Sequence, residues 1–440
     1  MTAPKTIRRA GRLGALALLT ASVVVLGGCS ATLGGGGGGG GGDDKVIKIG
    51  YVTPQTGPLA SFGEADSFVI DQVTSYYKDN GITLADGEKY DVEIITKDTQ
   101  SDPKRAGDVA ADLILKDGVD VILVSSTPET VNPVSDQCEA NQVVCISTVA
   151  PWQAWYFGRG ATPDDGFEWT YHFFWGIEDV QPVYADIWKV ATDPQNVAML
   201  LPNDSDGGAW ADPATGFPGF IEAQGLTPNE PGVYPNGSTD FSAQISAFKQ
   251  ANSSVLMGIP IPPDFTTFWK QAVQQGYQPE VTTIAKAILF PSAVEALGEL
   301  GNNLSTEVWW APSYPYSSSL TGQSSAEYAS EFEKVTGKQW TQPLGFAEAL
   351  FEVVTAALNE SASTEPADIR DAVSTLKVDT IVGPVDFTSG PNANVSKTPL
   401  VGGQWRLQDD GGYELVIVSN AENPQVPTAG TPEKIDWSAR

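Results

Sequence analysis

Apolar residues along most of this chain follow two alternating patterns. Short runs rich in β-branched residues, such as residues 46–52 and 119–124, are typical of strands buried on both faces of a parallel sheet. Between such runs, apolar residues recur three or four positions apart, which predicts amphipathic helices. The first of these helices has its apolar positions at Phe62, Ala65, Val69, Val73 and Tyr76.

The alternation of strand and helix occurs twice. In the first round the predicted strands are 46–52, 92–96, 119–124 and 143–147. In the second round they are 197–201, 255–259, 281–285 and 307–310. Three predicted helices follow at 324–336, 344–359 and 366–376, and two final strands at 402–407 and 413–418. Repeated β-α-β units form parallel sheets with helices on both faces, so the sequence predicts an α/β fold with two doubly wound, Rossmann-like lobes.

The N-terminus has the pattern of an export signal. Basic residues precede an apolar run at 13–26, which is shorter than the roughly 20 residues that cross a membrane. The run ends in Leu26-Gly27-Gly28-Cys29, which resembles the lipobox of bacterial lipoproteins and implies cleavage before Cys29 and lipid on its sulfur. We therefore predict a signal peptide at 1–28 and a lipidated, glycine-rich tether at 29–44. An ordinary signal peptide with an incidental cysteine is the alternative.

The charge of the chain argues against polyanionic partners. It has 25 Lys and Arg residues against 54 Asp and Glu residues, a net charge of −29. Because residues 1–28 hold four basic residues and no acidic residue, the remainder has 21 basic and 54 acidic residues, a net charge of −33. Nucleic acids and anionic lipid surfaces are bound by basic patches. We therefore predict no nucleic-acid partner, and membrane association through the lipid anchor alone.

The composition also argues against most catalytic chemistry. One histidine and three cysteines leave little material for a histidine-based triad, a zinc site or a four-cysteine cluster. The chain has no Gly-x-Ser-x-Gly elbow, and Asp204-x-Asp206-Gly207 lacks the remaining ligands of a calcium loop. The prediction is a protein that is not an enzyme and needs no metal or cofactor. An exported hydrolase that uses a pair of carboxylates remains the alternative.

Four segments resemble one known family. They are 48–63, which reads KIGYVTPQTGPLASFG, together with 98–103, 133–147 and 341–349. In this order they are similar to the branched-chain amino-acid (Leu/Ile/Val) type of ABC-transporter substrate-binding lipoprotein, which has a type I periplasmic-binding-protein-like fold. The resemblance covers nearly all of residues 46–418.

The resemblance implies two lobes that are joined by three crossings and close over a small-molecule solute. Lobe one would comprise residues 46–173 and 312–396, and lobe two residues 174–311 and 397–440. The implied partners are the permease and ATPase subunits of an ABC importer. The protein would be a monomer anchored to the outer face of the cytoplasmic membrane. A ligand-sensing lipoprotein of the same fold is the alternative.

The resemblance also implies ligand-binding loops in lobe one. In the family, the loops after the strands 119–124 and 143–147 hold the carboxylate of an amino-acid ligand with hydroxyls and backbone N–H groups. The corresponding residues here are Ser125, Ser126, Thr127, Ser147, Thr148, Val149, Ala150 and Trp152, and Phe62 matches an aromatic residue of the cleft. Ordinary turn chemistry for the loops and a core position for Phe62 are the alternatives.

The expected cleft residues of lobe two are Asp206, Trp210, Pro262, Asp264 and Lys286. Lys286 lies where amino-acid receptors of the family have an acid that pairs with the ligand's ammonium. Since a lysine repels an ammonium and attracts an anion, we predict a locally cationic cleft and a ligand other than a free α-amino acid. A solvated lysine, misaligned by one or two residues, is the alternative.

The remaining cysteines and the single histidine have separate interpretations. Cys138 and Cys145 have six residues between them in an exported chain, which favours a disulfide, with two buried free thiols as the alternative. His172 lies among aromatic residues close to the first expected crossing, which favours a structural role over a ligand contact.

Overall fold

The structure, a computed structural model, describes residues 45–163 and 165–438. The predicted signal peptide, the lipidation site Cys29 and the glycine-rich tether lie outside the described residues. In the described part of the chain, no helix has the length and apolar character needed to cross a membrane.

The strands are β1 (Val46–Thr53), β2 (Ile82–Thr83), β3 (Lys89–Asp98), β4 (Val121–Ser125), β5 (Val144–Thr148), β6 (Thr170–Phe173), β7 (Asn196–Leu200), β8 (Thr227–Asn229), β9 (Val255–Gly258), β10 (Val281–Ile284), β11 (Ser305–Val308), β12 (Lys377–Thr380), β13 (Gly383–Asp386), β14 (Val395–Ser396), β15 (Val401–Leu407) and β16 (Tyr413–Ser419). The α-helices are α1 (Asp66–Asn80), α2 (Pro103–Asp112), α3 (Pro128–Asn141), α4 (Trp152–Tyr156), α5 (Ile177–Trp188), α6 (Ser205–Ala211), α7 (Phe217–Ala223), α8 (Ser242–Gln250), α9 (Pro262–Gln274), α10 (Pro291–Glu295), α11 (Ser325–Thr336), α12 (Pro343–Glu360) and α13 (Pro366–Ser374). A π-helical turn at Leu113–Asp117 extends α2, and 3₁₀ turns occur at Ala60–Gly63, Phe157–Arg159 and Gly298–Gly301.

Two seven-stranded sheets organise these elements. The first has the strand order β14-β6-β5-β4-β1-β3-β2, and its pairs are parallel except β2 with β3. The second has the order β16-β15-β11-β10-β9-β7-β8, with β7 to β11 parallel and β15 and β16 antiparallel to their neighbours. This architecture confirms the predicted α/β fold with two doubly wound lobes.

The chain passes between the two sheets three times. It does so at residues 174–176 between β6 and α5, at 309–324 between β11 and α11, and at 397–400 between β14 and β15. Helix α5 packs on the second sheet, where the Trp188 indole N–H donates to the Thr283 hydroxyl at 3.0 Å. These passages bring the carboxyl ends of strands from both sheets to one cleft.

Several helices begin where the sequence signals predict. The Asp102 side chain caps α2 by accepting from the Arg105 N–H at 2.7 Å, and Pro103 occupies the first turn, where a missing N–H costs nothing. Ser324 and Glu327 form a reciprocal capping box at α11. Helix α12 is buried on nearly all sides, which explains its apolar sequence.

Several elements differ from the sequence-based expectation. Strand β6 and helix α5 were not predicted, because the aromatic run at 171–175 and Pro182 inside α5 obscure both periodicities. Phe62 lies in the 3₁₀ turn Ala60–Gly63 rather than in the following helix, since α1 begins only at Asp66. The predicted helix at 292–300 is a short helix followed by a 3₁₀ turn.

The predicted disulfide is wrong, because Cys138 and Cys145 are buried free thiols. Cys138 lies on α3 and Cys145 on β5, within a cluster that includes Val131 and Val134. Burial raises the pKa of Cys138 well above its usual range. The apolar surroundings therefore favour the neutral thiol over the thiolate that oxidation requires.

Candidate functional site

A cavity lies between the two lobes at the carboxyl ends of the parallel strands. Its volume is about 300 Å³, including its opening to solvent. Residues of both lobes line it: Phe62, Thr127, Val149, Pro151, Phe174, Trp175, Asp206, Ile259, Ala285, Lys286, Leu289, Glu307 and Trp309. In open α/β sheets this is the place where ligands bind.

The backbone is strained at two residues of this cavity. Val149, one residue after β5, has a φ of 69°, and Lys286, two residues after β10, has a φ of 64°. This left-handed region is unfavourable for side chains other than glycine, and most of all for a β-branched residue such as valine. Strain of this kind is concentrated at functional sites. Its occurrence once in each lobe, on opposite sides of one cavity, marks the cavity as the candidate site.

Lys286 joins the two lobes through a buried cluster of carboxylates. Its Nζ lies 2.8 Å from Asp206 Oδ2 and 3.6 Å from Asp204 Oδ2 in lobe two, and 3.2 Å from Glu129 Oε2 at the start of α3 in lobe one. The lysine side chain is only 3% exposed. Burial disfavours its charged form, but the three carboxylates outweigh burial and raise the pKa of Lys286 well above its usual range.

This cluster corrects the prediction of a locally cationic cleft. Lys286 lines the cavity as predicted, but its single positive charge is surrounded by three acidic side chains. The prediction failed because Glu129 lies 157 residues before Lys286 and meets it only across the cleft. A lysine in this setting does not leave a free positive charge for an anionic ligand.

Asp204 has a second, local role in the same cluster. Its side chain caps α6 by accepting from the Gly207 N–H at 2.9 Å, and it also accepts from the Asn236 amide at 2.8 Å. Within residues 45–163 and 165–438, no group of three or more His, Cys, Asp and Glu side chains is arranged to hold a metal ion.

Two carboxyl groups in the cavity wall have raised pKa values. Burial raises the pKa of Asp206 to about 7, although Lys286 opposes the shift. Burial likewise raises the pKa of Glu307 to about 7, although this group accepts from the Tyr184 hydroxyl at 2.5 Å and from the Thr306 hydroxyl at 3.0 Å. Both carboxyl groups therefore change their protonation state near neutral pH.

The cavity region also contains buried hydrogen-bonding groups without a protein partner. In the cavity wall they include the Thr127 hydroxyl, the indole N–H groups of Trp175 and Trp309, and Asp206 Oδ1. The hydroxyls of Ser125 and Ser126, directly before Thr127, are also buried without a partner, but these two predicted residues do not line the cavity. A buried polar atom without a hydrogen-bond partner reduces stability by roughly 1–3 kcal/mol, so such atoms are rare unless a ligand or water molecule provides the missing hydrogen bond. Of the predicted residues, the structure brings Phe62, Thr127, Val149, Asp206 and Lys286 together in the cavity wall.

The other predicted loop residues of lobe one are engaged elsewhere. The Ser147 hydroxyl donates to the Tyr171 carbonyl at 3.0 Å, and the Thr148 hydroxyl donates to the Phe173 carbonyl at 2.6 Å. The Ala150 carbonyl accepts from His172 Nε2 at 2.7 Å. These hydroxyl and carbonyl groups already have protein partners between β5 and β6, and Ser147, Thr148 and Ala150 do not line the cavity. Their assignment to the site, which also rests on backbone N–H groups, stays a prediction.

Four further predicted residues lie outside the cavity wall. The Trp152 indole N–H donates to Glu178 Oε1 at 3.0 Å, and the ring packs against Phe157. Trp210 is a core residue that stacks on Phe217 with the ring centroids 4.7 Å apart. Pro262 and Asp264 form the first turn of α9, where the Asp264 carboxylate accepts from the Gly237 N–H at 2.9 Å.

His172 has the structural role that the sequence favours. Its ring stacks on Trp155 with centroids 4.9 Å apart, and its Nδ1 lies 2.8 Å from Ser147 Oγ. The side chain is completely buried, and this burial lowers the pKa of His172 to about 3. The ring is therefore neutral at physiological pH and faces the interior of lobe one.

The sequence interpretation missed Glu129, Glu307 and Phe174, and it did not select Trp175 and Trp309 from the tryptophans near the expected cleft. Glu307 carries the clearest overlooked signal, because a charged residue in a short, otherwise buried strand requires a partner or a function. Trp175 and Trp309 each lie close to a crossing between the sheets, but sequence alone does not tell a cleft tryptophan from a core tryptophan.

The sequence matches the model of one protein family. The model described as periplasmic binding protein matches residues 46–411.

Solved structures with the same fold are available from several bacteria. A leucine-binding protein LivK from Thermotoga maritima has a TM-score of 0.67 and 17% identity, over 86% of this chain and 99% of that chain. The LivJ substrate-binding protein from Streptococcus pneumoniae, in complex with isoleucine, has a TM-score of 0.65 and 14% identity, over 85% and 100%. A solute-binding protein from Rhodopseudomonas palustris, in complex with 4-hydroxybenzoate, has a TM-score of 0.67 and 16% identity, over 89% and 99%.

Proposed function

The chain belongs to the periplasmic binding protein family, and from this premise we propose that it is the extracytoplasmic solute-binding lipoprotein of an ABC importer. It closes two lobes over one small solute and delivers that solute to a membrane permease. The observation that carries the proposal is the cavity between the lobes, whose wall holds buried, unpartnered hydrogen-bonding groups from both sides of the cleft.

The contacts of the cluster around Lys286 support closure of the lobes. Glu129 belongs to lobe one, whereas Lys286 and Asp206 belong to lobe two, so the 3.2 Å contact between Lys286 and Glu129 requires the lobes to approach each other. A hinge motion that separates the lobes breaks this contact and opens the cavity to solvent.

Anchoring by lipid is the part of the proposal that rests on residues 1–44. The lipobox-like segment before Cys29 and the nine glycines at 34–42 support it. Metabolic labelling with a fatty acid should label the mature protein, and a Cys29→Ser variant should lose the label and appear in the medium. A labelled Cys29→Ser protein would contradict the anchor.

Solute binding can be tested with the protein's own tryptophans. Trp175 and Trp309 line the cavity, so a bound solute should change their fluorescence and raise the thermal midpoint. The solute library should include branched-chain amino acids and hydroxybenzoates, which related structures bind. Trp309→Phe should reduce the fluorescence response, whereas Trp437→Phe, outside the cavity wall, should not. A library that shifts neither signal would count against solute binding.

A further inference from the structure

The cavity holds more negative than positive charge. Glu129, Asp204 and Asp206 surround the ammonium of Lys286, and Glu307 adds a fourth buried carboxyl group in the cavity wall. Lys286 balances one of these charges. Because uncompensated charge is expensive to bury, the site as built favours the addition of positive charge.

Oxygen atoms for a second cation are present. Lys286 pairs with Oδ2 of Asp206 and Oε2 of Glu129, while Asp206 Oδ1 and Glu129 Oε1 are buried without a partner. The Asp206 side chain is 2% exposed and lines the cavity. A ligand ammonium could thus donate to the unpartnered Asp206 Oδ1 while Lys286 keeps its contact with Asp206 Oδ2.

The rest of the wall suits an organic cation. Phe62, Phe174, Trp175 and Trp309 contribute aromatic rings to the wall, and the negative face of such a ring attracts an ammonium group. The free Thr127 hydroxyl and the indole N–H groups of Trp175 and Trp309 can donate to a ligand oxygen. A ligand carboxylate would add a further acid to a site where Lys286 already faces Glu129, Asp204 and Asp206 and where Glu307 lies in the wall.

Building on solute binding as the proposed function, we propose that the ligand is a compact organic cation: an apolar ammonium compound with a neutral oxygen and no carboxylate. Its ammonium binds Asp206 Oδ1, with Glu307 as a second acidic group of the same cavity wall. Its apolar part contacts the aromatic wall, and its oxygen accepts from Thr127 or an indole N–H. The raised pKa values of Asp206 and Glu307, both about 7, agree with a site that lacks one positive charge.

Two sets of compounds test this inference, each with one carbon skeleton that carries an ammonium group, an ammonium and a carboxylate, a carboxylate, or no charged group. The first is leucinol, leucine, 4-methylpentanoate and 4-methylpentanamide, and the second is phenylalaninol, phenylalanine, 3-phenylpropanoate and 3-phenylpropanamide. Calorimetric titration at pH 7.5 should show the amino alcohol binding about tenfold more tightly than the other three members of at least one set.

The outcomes separate the ligand class from the proposed function. Tighter binding of the amino acid, the carboxylate or the amide in both sets overturns the cationic ligand and leaves solute binding standing. Failure of both amino alcohols to bind also overturns the cationic ligand. If, in addition, no solute of the wider library raises the thermal midpoint, the proposed function fails as well.

Glu307→Gln tests the source of the selectivity. The amide retains a hydrogen-bond acceptor for Tyr184 but removes the charge, so the preference for the amino alcohol over the amide should fall about tenfold. The matched control is Glu352→Gln, which removes a buried carboxyl with a raised pKa outside the cavity wall. Equal loss of selectivity in both variants, or none in Glu307→Gln, would contradict the assignment.

The pH dependence gives an independent readout. Asp206 and Glu307 gain charge as pH rises through about 7, while Lys286 stays protonated; Glu129, Asp204 and the Tyr184 hydroxyl also face this cluster. Affinity for the amino alcohol should therefore rise between pH 6 and pH 8, and Glu307→Gln should reduce that rise. A constant or falling affinity in the native protein would overturn the inference.

Discussion

Lys286 carries a charge that the fold has removed from water and surrounded with carboxylates. Removing an ammonium from water costs several kcal/mol, which only well-placed partners restore. Here three acids from two lobes provide those partners, at 2.8, 3.2 and 3.6 Å. The lysine is therefore a structural cation of the cleft as well as a part of its wall.

Replacement of Lys286 should destabilise the protein strongly. Lys286→Met keeps most of the side-chain volume but leaves Glu129, Asp204 and Asp206 buried without a counter-charge. We expect a loss of about 3–5 kcal/mol in the free energy of unfolding, measured by urea denaturation at pH 7.5.

The control for this variant is Lys338→Met. Lys338 also bridges distant segments, with its Nζ 2.9 Å from Glu64, but its side chain is 58% exposed. Exposed pairs contribute about 0–1 kcal/mol, so this variant should be nearly neutral. A similar, small effect of both substitutions would show that the buried cluster does not need its lysine.

At the residue scale, the sequence predicted which residues lie in the cavity wall better than it predicted which side chains contact them. Thr127, Val149 and Lys286 were located because they follow strands whose apolar runs are easy to recognise. The carboxylates around Lys286 could not be predicted in the same way, because their approach depends on how two discontinuous lobes meet. The free thiols of Cys138 and Cys145 likewise depend on local packing that spacing does not reveal.

At the scale of elements, the segment after β16 is a part of the lobe-two core without regular secondary structure. Val426 and Ile435 are buried in the same apolar cluster as Trp405 and Tyr413. The Ile435 N–H donates to the Glu280 carbonyl at 2.9 Å, and the Trp437 indole N–H donates to the Pro279 carbonyl at 2.8 Å. The segment thus hydrogen-bonds to the residues directly before β10 and packs in one apolar cluster with β15 and β16.

Truncation of one side chain in this segment should therefore act as a core mutation. Ile435→Ala should reduce the free energy of unfolding by about 2–5 kcal/mol, because it removes buried methyl groups from a packed cluster. Glu433→Ala, two residues away, removes only a 62% exposed partner of Arg406 and should cost less than about 1 kcal/mol. Equal urea midpoints for the two variants would mean that the segment is not part of the core.

Strands and helices could be predicted where their apolar residues have a clear periodicity. Strands such as β1 and β9 and the long helix α12 were recognised from their apolar periodicity. Strand β6 was not, since its four residues Thr170–Phe173 run into further aromatic residues without a polar boundary. The C-terminal segment has no periodicity at all, and its burial arises only from the fit to lobe two.

At the scale of the whole molecule, buried carboxyl groups make the fold sensitive to alkaline pH. Burial raises the pKa of Asp66 to about 6, of Asp206 and Glu307 to about 7, and of Glu352 to about 8. A group whose pKa is higher in the folded state stabilises the fold below its unfolded pKa. That stability is lost as pH rises through the folded pKa.

We therefore expect the free energy of unfolding to fall by about 1–2 kcal/mol between pH 7 and pH 8.5. His172 contributes little in this window, because it is neutral in the folded state and largely neutral in the unfolded state. Glu352→Gln should remove more than half of the decrease. Measurements in 0.5 M salt separate this effect from surface repulsion, which salt screens. Stability that is constant or rises across the window would contradict the buried-carboxyl account.

The three passages between the sheets also determine when each sheet can be completed during synthesis. β14 pairs with β6, so β6 remains an unpaired edge strand until residues about 220 positions further along the chain have been synthesised. At a translation rate of about 5–20 residues per second, that interval is roughly ten to forty-five seconds. The second sheet is completed later still, because its strands β15 and β16 follow β14 in the chain. Nascent chains of this protein therefore expose unpaired strand edges until synthesis is almost finished, and a chaperone that holds them open has time to bind.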